Sequence, residues 1–274
     1  MEDFKQLEQI ARDIRKDILL MLNRAKSGHS GGSLSVVDIL VALYFGGVLN
    51  YDPKNPDWED RDRVVLSKGH ACPALYAVLS RAGFFERELL WTLRKLGSPL
   101  QGHPDARKLS GIDASTGSLG NGITQAVGIA LAARVLKKRY RVFCIMGDGE
   151  LQEGVVWEAF MSAAHYKLSN LIVIIDYNGL QIDGKVMDVM GVAPLKDKLE
   201  AFGFRTFEIG GHLYKSLIDT LITAKRNVIT PTAIIARTVK GYGVSFMANR
   251  AEYHGVPPSD EELKKALEEL ENGV

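Results

Sequence analysis

The sequence predicts an α/β protein in which a doubly wound, mainly parallel sheet carries helices on both faces. Short apolar runs alternate with helical segments along the whole chain, which is the pattern of βαβ units. Two of these runs, residues 142–146 and 171–175, lack polar alternation, as expected of strands that are buried on both faces. No internal repeat or long linker interrupts the pattern, so we predict a single domain over residues 1–274.

The first half of the chain is predicted to be mainly helical. Apolar residues recur at steps of three and four from Phe4 to Leu22, which indicates an amphipathic helix. A Gly/Ser stretch at residues 27–33 interrupts this pattern as a loop. The remaining elements are predicted as helices at 36–45, 71–81, 84–96 and 123–137, a strand at 63–66, and a glycine-rich loop at 114–122.

The second half alternates strands and helices more regularly. A helix connects the two apolar strands, and a right-handed crossover of this kind brings both strand ends to the same sheet edge. Ser259 and Glu262 have the spacing of a capping box and begin the last helix, which runs to 271. The other elements are predicted as a helix ending near 202, strands at 204–209 and 232–237, a helix at 213–226, and an extended run up to 252.

Composition excludes several functional classes. Hydrophobic residues make up 46% and charged residues 24% of the chain, as in ordinary globular proteins, and the net charge of +1 gives no nucleic-acid footprint. The N-terminus lacks the order of a signal peptide, and no apolar stretch approaches the ~20 residues that span a bilayer. Two cysteines, Cys72 and Cys144, argue against a disulfide scaffold, so we expect a cytoplasmic protein without membrane contact.

A Gly-Asp-Gly turn and a later asparagine form the main candidate site. Asp148 and Asn178 follow the two apolar strands, with 28 residues between the turn and the asparagine, and should lie side by side. Their oxygens, with the carbonyl of Leu180, are the ligands that Mg²⁺ prefers. Gly147 and Gly149 allow backbone N–H groups to approach a phosphate. Taken alone, the same tripeptide is also ordinary turn chemistry.

Histidines are the second group of candidates. We predict His165 to be a packing residue, and His212 to be either a helix start or a residue at the edge of a phosphate site. Imidazoles in loops can bind sugar hydroxyls and transfer protons near neutral pH. Zinc binding is the alternative, although the spacings match no short-range zinc pattern. The four histidines in glycine-containing loops are His29, His70, His103 and His254.

Together these motifs resemble those of transketolase, in its N-terminal, diphosphate-binding half. The resemblance runs from about residue 10 to 255. It is carried by the segments SGHSGGSLS, LSKGHACPALY, LQGHPD, ASTGSLGNGITQAVGIALA, GDGELQEG, IDYNGLQIDG and KGYGVSFMANRAEYHG. The resemblance implies a thiamine diphosphate-binding fold that holds thiamine diphosphate and Mg²⁺, with Ca²⁺ and Mn²⁺ as alternative metals.

The resemblance also implies a role for each matched residue. Asp148, Asn178 and the Leu180 carbonyl would bind the metal. His29 and His103 would bind and polarise the sugar, and Glu153 would lie at a subunit interface. His70 and His254 would also act at the reacting atoms. The cofactor-binding residues would be His70, Gly117, Leu119, Gly147, Asp148, Gly149, Asn178, Lys240 and His254.

Two departures from the family pattern qualify the resemblance. Ser30 stands where the family often has proline, and we expect a tolerable gain in flexibility. Single-chain members are more than twice as long and carry a second domain, which binds the pyrimidine ring and supplies an activating glutamate. The twenty residues after His254 cannot hold such a domain. We therefore expect a split transketolase in which a separate C-terminal subunit is the partner, assembled as a dimer of such pairs.

The activity implied is transfer of a two-carbon ketol unit from a ketose phosphate to an aldose phosphate. Three alternatives stay open: an α subunit of a 2-oxo acid dehydrogenase, a fragment of the 1-deoxyxylulose-5-phosphate synthase type, and a non-catalytic subunit that holds cofactor. The first two share the Gly-Asp-Gly and asparagine motif but have no expected need for the set of sugar-facing histidines. The third has no need for the metal-binding pair.

Overall fold

A computed structural model describes residues 4–272, and its centre is a five-stranded parallel sheet. The strands, in chain order, are β1 (Arg63–Leu66), β2 (Val142–Gly147), β3 (Leu171–Tyr177), β4 (Leu180–Gln181), β5 (Gly184–Lys185), β6 (Arg205–Gly210) and β7 (Thr232–Arg237). The main sheet has the order β1-β2-β3-β7-β6, while β4 and β5 form a small antiparallel hairpin. All main-sheet strands therefore end at one edge.

Helices cover both faces of this sheet. Within residues 4–272 they are α1 (Lys5–Ala25), α2 (Ser30–Ser35), α3 (Val37–Phe45), α4 (Cys72–Arg81), α5 (Asn121–Val135), α6 (Gly154–His165), α7 (Val186–Met190), α8 (Leu195–Ala201), α9 (Tyr214–Arg226) and α10 (Asp260–Asn272). Helices α1, α3, α4 and α9 contribute to the core on one face, and α5, α6 and α8 to the core on the other.

Alternate residues of one strand enter the two cores. In β2, Phe143 and Ile145 belong to the first core, whereas Val142, Cys144 and Met146 belong to the second, and all five are 0% exposed. A strand buried on both faces has no polar positions, which explains its continuous apolar sequence. The predicted doubly wound α/β fold is confirmed.

Several local predictions were wrong where a short element depends on its neighbours. The Gly/Ser stretch is not a loop throughout, because Ser30–Ser35 is a fully buried helix. The helical segment expected at 84–96 contains only a 3₁₀ turn, Arg87–Thr92. The run before residue 252 consists of turns rather than extended chain, and the hairpin β4–β5 and helix α7 were not predicted.

Two further predictions concern single side chains. The capping box is confirmed, since Ser259 N donates to Glu262 Oε2 at 2.8 Å and Glu262 N donates to Ser259 Oγ at 3.1 Å. His165 is not a packing residue; it is exposed at the end of α6, with its ring 4.9 Å from that of Tyr166. Of the helices in residues 4–272, none combines the length and apolarity required to cross a bilayer.

Candidate active site

A cavity of about 280 Å³ lies where β1, β2, β3 and β7 end. Loops after these strands supply its walls, as expected at the carboxyl edge of a parallel sheet. The predicted site residues that line it are His29, His70, Gly117, Leu119, Gly147, Asp148, Gly149, Asn178, Leu180, Lys240 and His254. His103 is the one predicted residue outside this lining. The fold thus collects residues that are up to 225 positions apart in sequence into a single cavity.

The predicted metal ligands are neighbours in space. Strands β2 and β3 are adjacent, with Gly147 opposite Asp176, so the residues that follow them meet. Asp148 Oδ1 accepts a hydrogen bond from Gly149 N at 2.9 Å, and Oδ2 accepts one from Gly179 N at 2.5 Å. The Asn178 side chain accepts from Leu180 N at 3.1 Å. The turn after β3 is therefore attached directly to the Gly-Asp-Gly turn.

This donor set suits a hard divalent cation. It offers a carboxylate, an amide oxygen and a carbonyl, which are oxygen ligands of the type that Mg²⁺ and Ca²⁺ take. Asp148 is 2% exposed, and this burial raises its pKa to about 6, a cost that a bound cation would offset. Within residues 4–272 no three His, Cys, Asp or Glu side chains are arranged to bind a metal together.

Three of the histidines that line the cavity form a cluster. The ring of His29 lies 5.1 Å from that of His70 and 5.6 Å from that of His254, and the last two are 5.3 Å apart. Burial lowers the pKa of His29 to about 4 and that of His254 to about 3, and it holds the pKa of His70 well below its usual value. Near neutral pH all three rings are uncharged, so each can donate and accept a hydrogen bond.

Lys240 connects the histidine cluster to the metal ligands. Its side chain is 1% exposed, and burial lowers its pKa to about 8. Its Nζ lies 2.8 Å from His254 Nδ1 and donates to the Leu180 carbonyl at 3.4 Å. Gly31 makes room for this side chain, because a Cβ at Gly31 would come within 2.8 Å of Lys240 Cγ. The cavity therefore holds a buried cation whose two direct partners are neutral.

These features fit a diphosphate-bearing cofactor with its metal. The buried cation Lys240 and the carboxylate of Asp148 face the same space, as binding of a metal diphosphate requires. A Cβ at Gly149 would lie 3.3 Å from Gln181 Cβ, so this turn is closely packed. His29 Nδ1 is buried and has no hydrogen-bond partner within the described chain, which leaves it available to a ligand.

His103 occupies the rim of the site rather than the cavity. Its ring packs against Gly117, where an added Cβ would come within 3.3 Å of His103 Cγ. Gly117 thus lets the second glycine-rich loop pack closely against this ring. His103 is exposed and borders a neighbouring cavity of about 300 Å³ together with Arg94 and Gly102. Burial and the charge of Arg94 lower the pKa of His103.

A buried ion pair at the wall of the cavity, where Lys68 is a lining residue, was not predicted. Lys68 follows β1 and pairs with Asp176 near the end of β3, and the two side chains are 2% and 0% exposed. Lys68 Nζ also donates to the Gly32 carbonyl at 3.0 Å, and Asp176 accepts from the hydroxyls of Ser35 and Thr238. The pair thus joins α2, β1, β3 and β7. A charged residue directly after an apolar run was the available signal for Asp176.

Glu150 is a second residue that sequence reasoning missed. It is 2% exposed, and its carboxylate accepts from Gly120 N at 2.9 Å, from Gly147 N at 3.1 Å and from the Ser67 hydroxyl. It therefore fastens the second glycine-rich loop to the Gly-Asp-Gly turn. Its position directly after that turn was the available signal. Glu153, three residues later, is exposed at the N-terminus of α6.

Ser30, which stands where the family often has proline, is held by a hydrogen bond in the first histidine loop. The residue is 0% exposed at the start of α2, and its Oγ donates to the Val256 carbonyl at 2.7 Å. This bond attaches the loop of His29 to the segment that carries His254. The hydroxyl thus restrains the position by a hydrogen bond, where proline would restrain it through its ring.

Comparisons with known proteins match this chain along nearly its whole length. The family model described as the transketolase, thiamine diphosphate binding domain matches residues 7–272. The 6-deoxy-6-sulfo-D-fructose transketolase subunit SqwG of Clostridium sp. (strain MSTE9) is 43% identical over 265 residues, which cover 97% of this chain and 96% of that protein. An apulose-4-phosphate transketolase subunit of Actinobacillus succinogenes is 42% identical over 270 residues, covering 98% and 97%.

A solved structure gives the same result for the fold. Transketolase from Campylobacter jejuni matches with a TM-score of 0.91 at 35% identity, over 99% of this chain and 43% of that chain. The chain thus has nearly the extent of the two subunits but less than half the length of the Campylobacter enzyme.

Proposed function

This chain belongs to the family of transketolase thiamine diphosphate-binding domains, and we propose that it is the N-terminal subunit of a split transketolase. Residues 1–274 would form one diphosphate-binding domain that works with a separate C-terminal subunit. The observation that carries the proposal is the single cavity in which the donor set of Asp148 faces Lys240 and the histidine cluster. This arrangement suits a metal diphosphate on one side and a polyhydroxylated substrate on the other.

The proposed cofactor is thiamine diphosphate with Mg²⁺, and Ca²⁺ or Mn²⁺ are alternative metals. Bound thiamine diphosphate supplies an electron sink for cleaving and forming a carbon–carbon bond next to a carbonyl. Asp148, Asn178 and the Leu180 carbonyl would hold the metal, and Lys240 would hold the diphosphate. The N–H groups of Gly147 and Gly149 donate to Glu150 and Asp148, so these glycines would contribute by the close approach that a missing side chain allows. Gly117 and Leu119 line the cavity on the side of the second glycine-rich loop and would contact the pyrimidine ring through their backbone.

We propose that the histidines bind and orient the sugar and move its protons. His29, His70 and His254 are neutral near pH 7, so each has one N–H that can donate to a sugar oxygen. The acceptor nitrogen of His254 faces Lys240 Nζ, which leaves His29 and His70 to accept from a hydroxyl. The unpaired His29 Nδ1 is available for such a contact. His103, on the rim, would meet the part of the substrate that extends out of the cavity.

The reaction class we propose is transfer of a two-carbon ketol unit between a ketose phosphate and an aldose phosphate, as in the pentose phosphate pathway. Two relatives are named for less common sugars, 6-deoxy-6-sulfo-D-fructose and apulose 4-phosphate. Both are similar to this chain over at least 96% of their length, so sulfonated and branched sugars belong in any substrate panel.

The proposed partner is a pyrimidine-binding subunit that covers the open side of the cavity. Support comes from relatives that are themselves named as subunits and are matched over 96–97% of their length. We further propose a dimer of such pairs, with the exposed Glu153 at a subunit interface. A cytoplasmic location is also proposed, because Cys72 and Cys144 are both free thiols.

A reconstitution assay tests the proposal. The chain alone, and the chain mixed with the product of the adjacent reading frame, are incubated with thiamine diphosphate, Mg²⁺, xylulose 5-phosphate and ribose 5-phosphate, and then with sulfonated and branched ketoses. We expect ketol transfer only in the mixture. Binding of cofactor without turnover on any sugar would contradict the proposal and favour a subunit that only holds cofactor.

Replacement of His103 by Ala separates substrate chemistry from cofactor binding. Because His103 lies on the rim and outside the metal and cofactor lining, we expect turnover to fall by at least about 100-fold while affinity for thiamine diphosphate and Mg²⁺ is unchanged. Steady-state kinetics and calorimetry on the reconstituted complex measure the two effects. His165→Ala is the matched control, since His165 is exposed on α6 and should leave both values unchanged. Full turnover in the His103 variant would remove this residue from the mechanism.

A further inference from the structure

A buried polar network lies behind the loop that carries Lys240, outside the cofactor cavity. Asp38 is its centre: Oδ2 accepts from Arg15 Nη2 at 2.6 Å and lies 2.6 Å from His212 Nδ1, while Oδ1 accepts from the Tyr214 hydroxyl at 2.8 Å. Arg15 and Asp38 are each 4% exposed. None of these four residues lines the cofactor cavity. They border a separate cavity of about 210 Å³.

His212 is attached to the loop on its other side. Its Nε2 accepts a hydrogen bond from Val239 N at 2.9 Å, so the ring proton is on Nδ1, where it is donated to Asp38. The ring also stacks on Tyr242, with centroids 3.6 Å apart and planes 11° from parallel. Arg15 completes the contact, because its Nε donates to the Tyr242 carbonyl at 3.1 Å. This network therefore holds both ends of residues 239–242.

Lys240 lies between these two attachments and points to the opposite side of the loop. Its Nζ reaches His254 and the Leu180 carbonyl in the cofactor cavity. The backbone between them is also held, because Gly241 N donates to the Gly31 carbonyl at 3.0 Å and Asn249 N donates to the Lys240 carbonyl at 2.9 Å. The direction of the lysine is thus set by the bonds made by its neighbours.

We propose that His212 is a positioning residue, which through its bond to Val239 N fixes residues 239–242 so that Lys240 Nζ faces the diphosphate-binding side of the cavity. The identity of the ligand rests on the proposed function, whereas the role of His212 in holding residues 239–242 does not. Asp38 acts one step further away, since it selects the tautomer in which His212 Nε2 is an acceptor. Arg15 neutralises the buried carboxylate.

Two substitutions separate the two bonds of the imidazole. The amide of His212→Asn reaches the position of Nδ1, so this variant keeps the contact with Asp38 and loses the contact with Val239 N. The amide of His212→Gln extends to the position of Nε2, so it keeps an acceptor for Val239 N and loses the contact with Asp38. His165→Asn is the control for the same chemical change at an exposed histidine whose ring contacts that of Tyr166.

Two measurements on the full chain give the test. Hydrogen exchange of the backbone amides of residues 238–243, measured without cofactor, reports how firmly the loop is held. Calorimetry of thiamine diphosphate and Mg²⁺, on the chain combined with its partner subunit, reports affinity. For His212→Asn we expect exchange at 238–243 to rise, and affinity to fall, by about tenfold each, as loss of one hydrogen bond predicts. His212→Gln should stay within about threefold of wild type, and His165→Asn should be unchanged.

Each other outcome overturns the inference. Unchanged exchange in His212→Asn would mean that the bond does not hold the loop. Faster exchange across the strands in both variants would assign His212 a general role in stability. Faster exchange confined to the loop, with unchanged affinity, would separate the loop from cofactor binding. Absence of cofactor binding in the wild-type complex would refute the proposed function itself. The exchange data need no cofactor, so they would still test whether His212 holds the loop.

Discussion

Replacing Asp148 by Asn is expected to abolish metal-dependent binding of thiamine diphosphate. The variant keeps the size of the side chain but replaces a charged oxygen ligand by an amide, in a site where the carboxylate is 2% exposed. Loss of residues that only orient a metal ligand weakens metal affinity about 10–100-fold. Loss of the charge on the ligand itself should therefore weaken metal affinity by more than about 100-fold. Calorimetric titration of the cofactor into the reconstituted complex, with and without Mg²⁺, measures the effect.

Asp183→Asn is the matched control for this experiment. Asp183 borders the same cavity but is exposed, and it belongs to none of the predicted ligands. The same loss of one charge should leave affinity close to the wild-type value. If Asp148→Asn bound cofactor as tightly as Asp183→Asn, the metal site would have to be elsewhere in the cavity.

Replacing Lys68 by Met is expected to reduce the free energy of unfolding by about 3–5 kcal/mol. Asp176 would then be a fully buried carboxylate without its cation, held only by the hydroxyls of Ser35 and Thr238. Burial alone would raise the pKa of Asp176, and the charge and hydrogen bond of Lys68, followed by the two hydroxyl hydrogen bonds, bring it below its usual value. Urea unfolding of the wild-type chain and the variant gives the difference in free energy. The slopes of free energy against urea concentration are compared, because equal slopes mean that the change lies in stability alone.

A second replacement identifies the cause of that loss. The double variant Lys68→Met, Asp176→Asn leaves no buried charge unpaired. Its decrease in the free energy of unfolding should therefore be smaller than the sum of the decreases in the two single variants. The control is Lys196→Met, which removes a surface pair with Glu200 at 3.9 Å and should cost at most about 0.5 kcal/mol. Additive losses in the double variant would show that the two side chains contribute independently.

The large elements of this fold were predictable because their signal is local. Residues 142–146 and 171–175 are apolar at every position, and the structure buries both faces of the strands they form. A helix between two such runs indicates a crossover between parallel strands, and these strands are adjacent, so Asp148 meets the turn at Asn178 at one sheet edge. The short elements were not predictable in the same way. Ser30–Ser35 has weak intrinsic helix preference and is helical where it is completely buried.

The same division applies to the site. The residues predicted to touch cofactor and sugar could be named from the sequence, because glycines, histidines and Asp148 stand out at the ends of apolar runs. The residues that hold them were missed, because Lys68, Glu150 and Asp38 are ordinary surface types until the fold buries them.

The sequence by itself determines a parallel α/β sheet, a Gly-Asp-Gly turn followed by Asn178, and four histidines in glycine-containing loops. These features are local, because the period of apolar residues and the chemistry of each turn depend on neighbours in the chain. Only the tertiary structure decided that the loops of His29, His70 and His254 converge while His103 stays on the rim. It also decided that the three converging rings are neutral, because burial and the charge of Lys240 depend on which segments pack together.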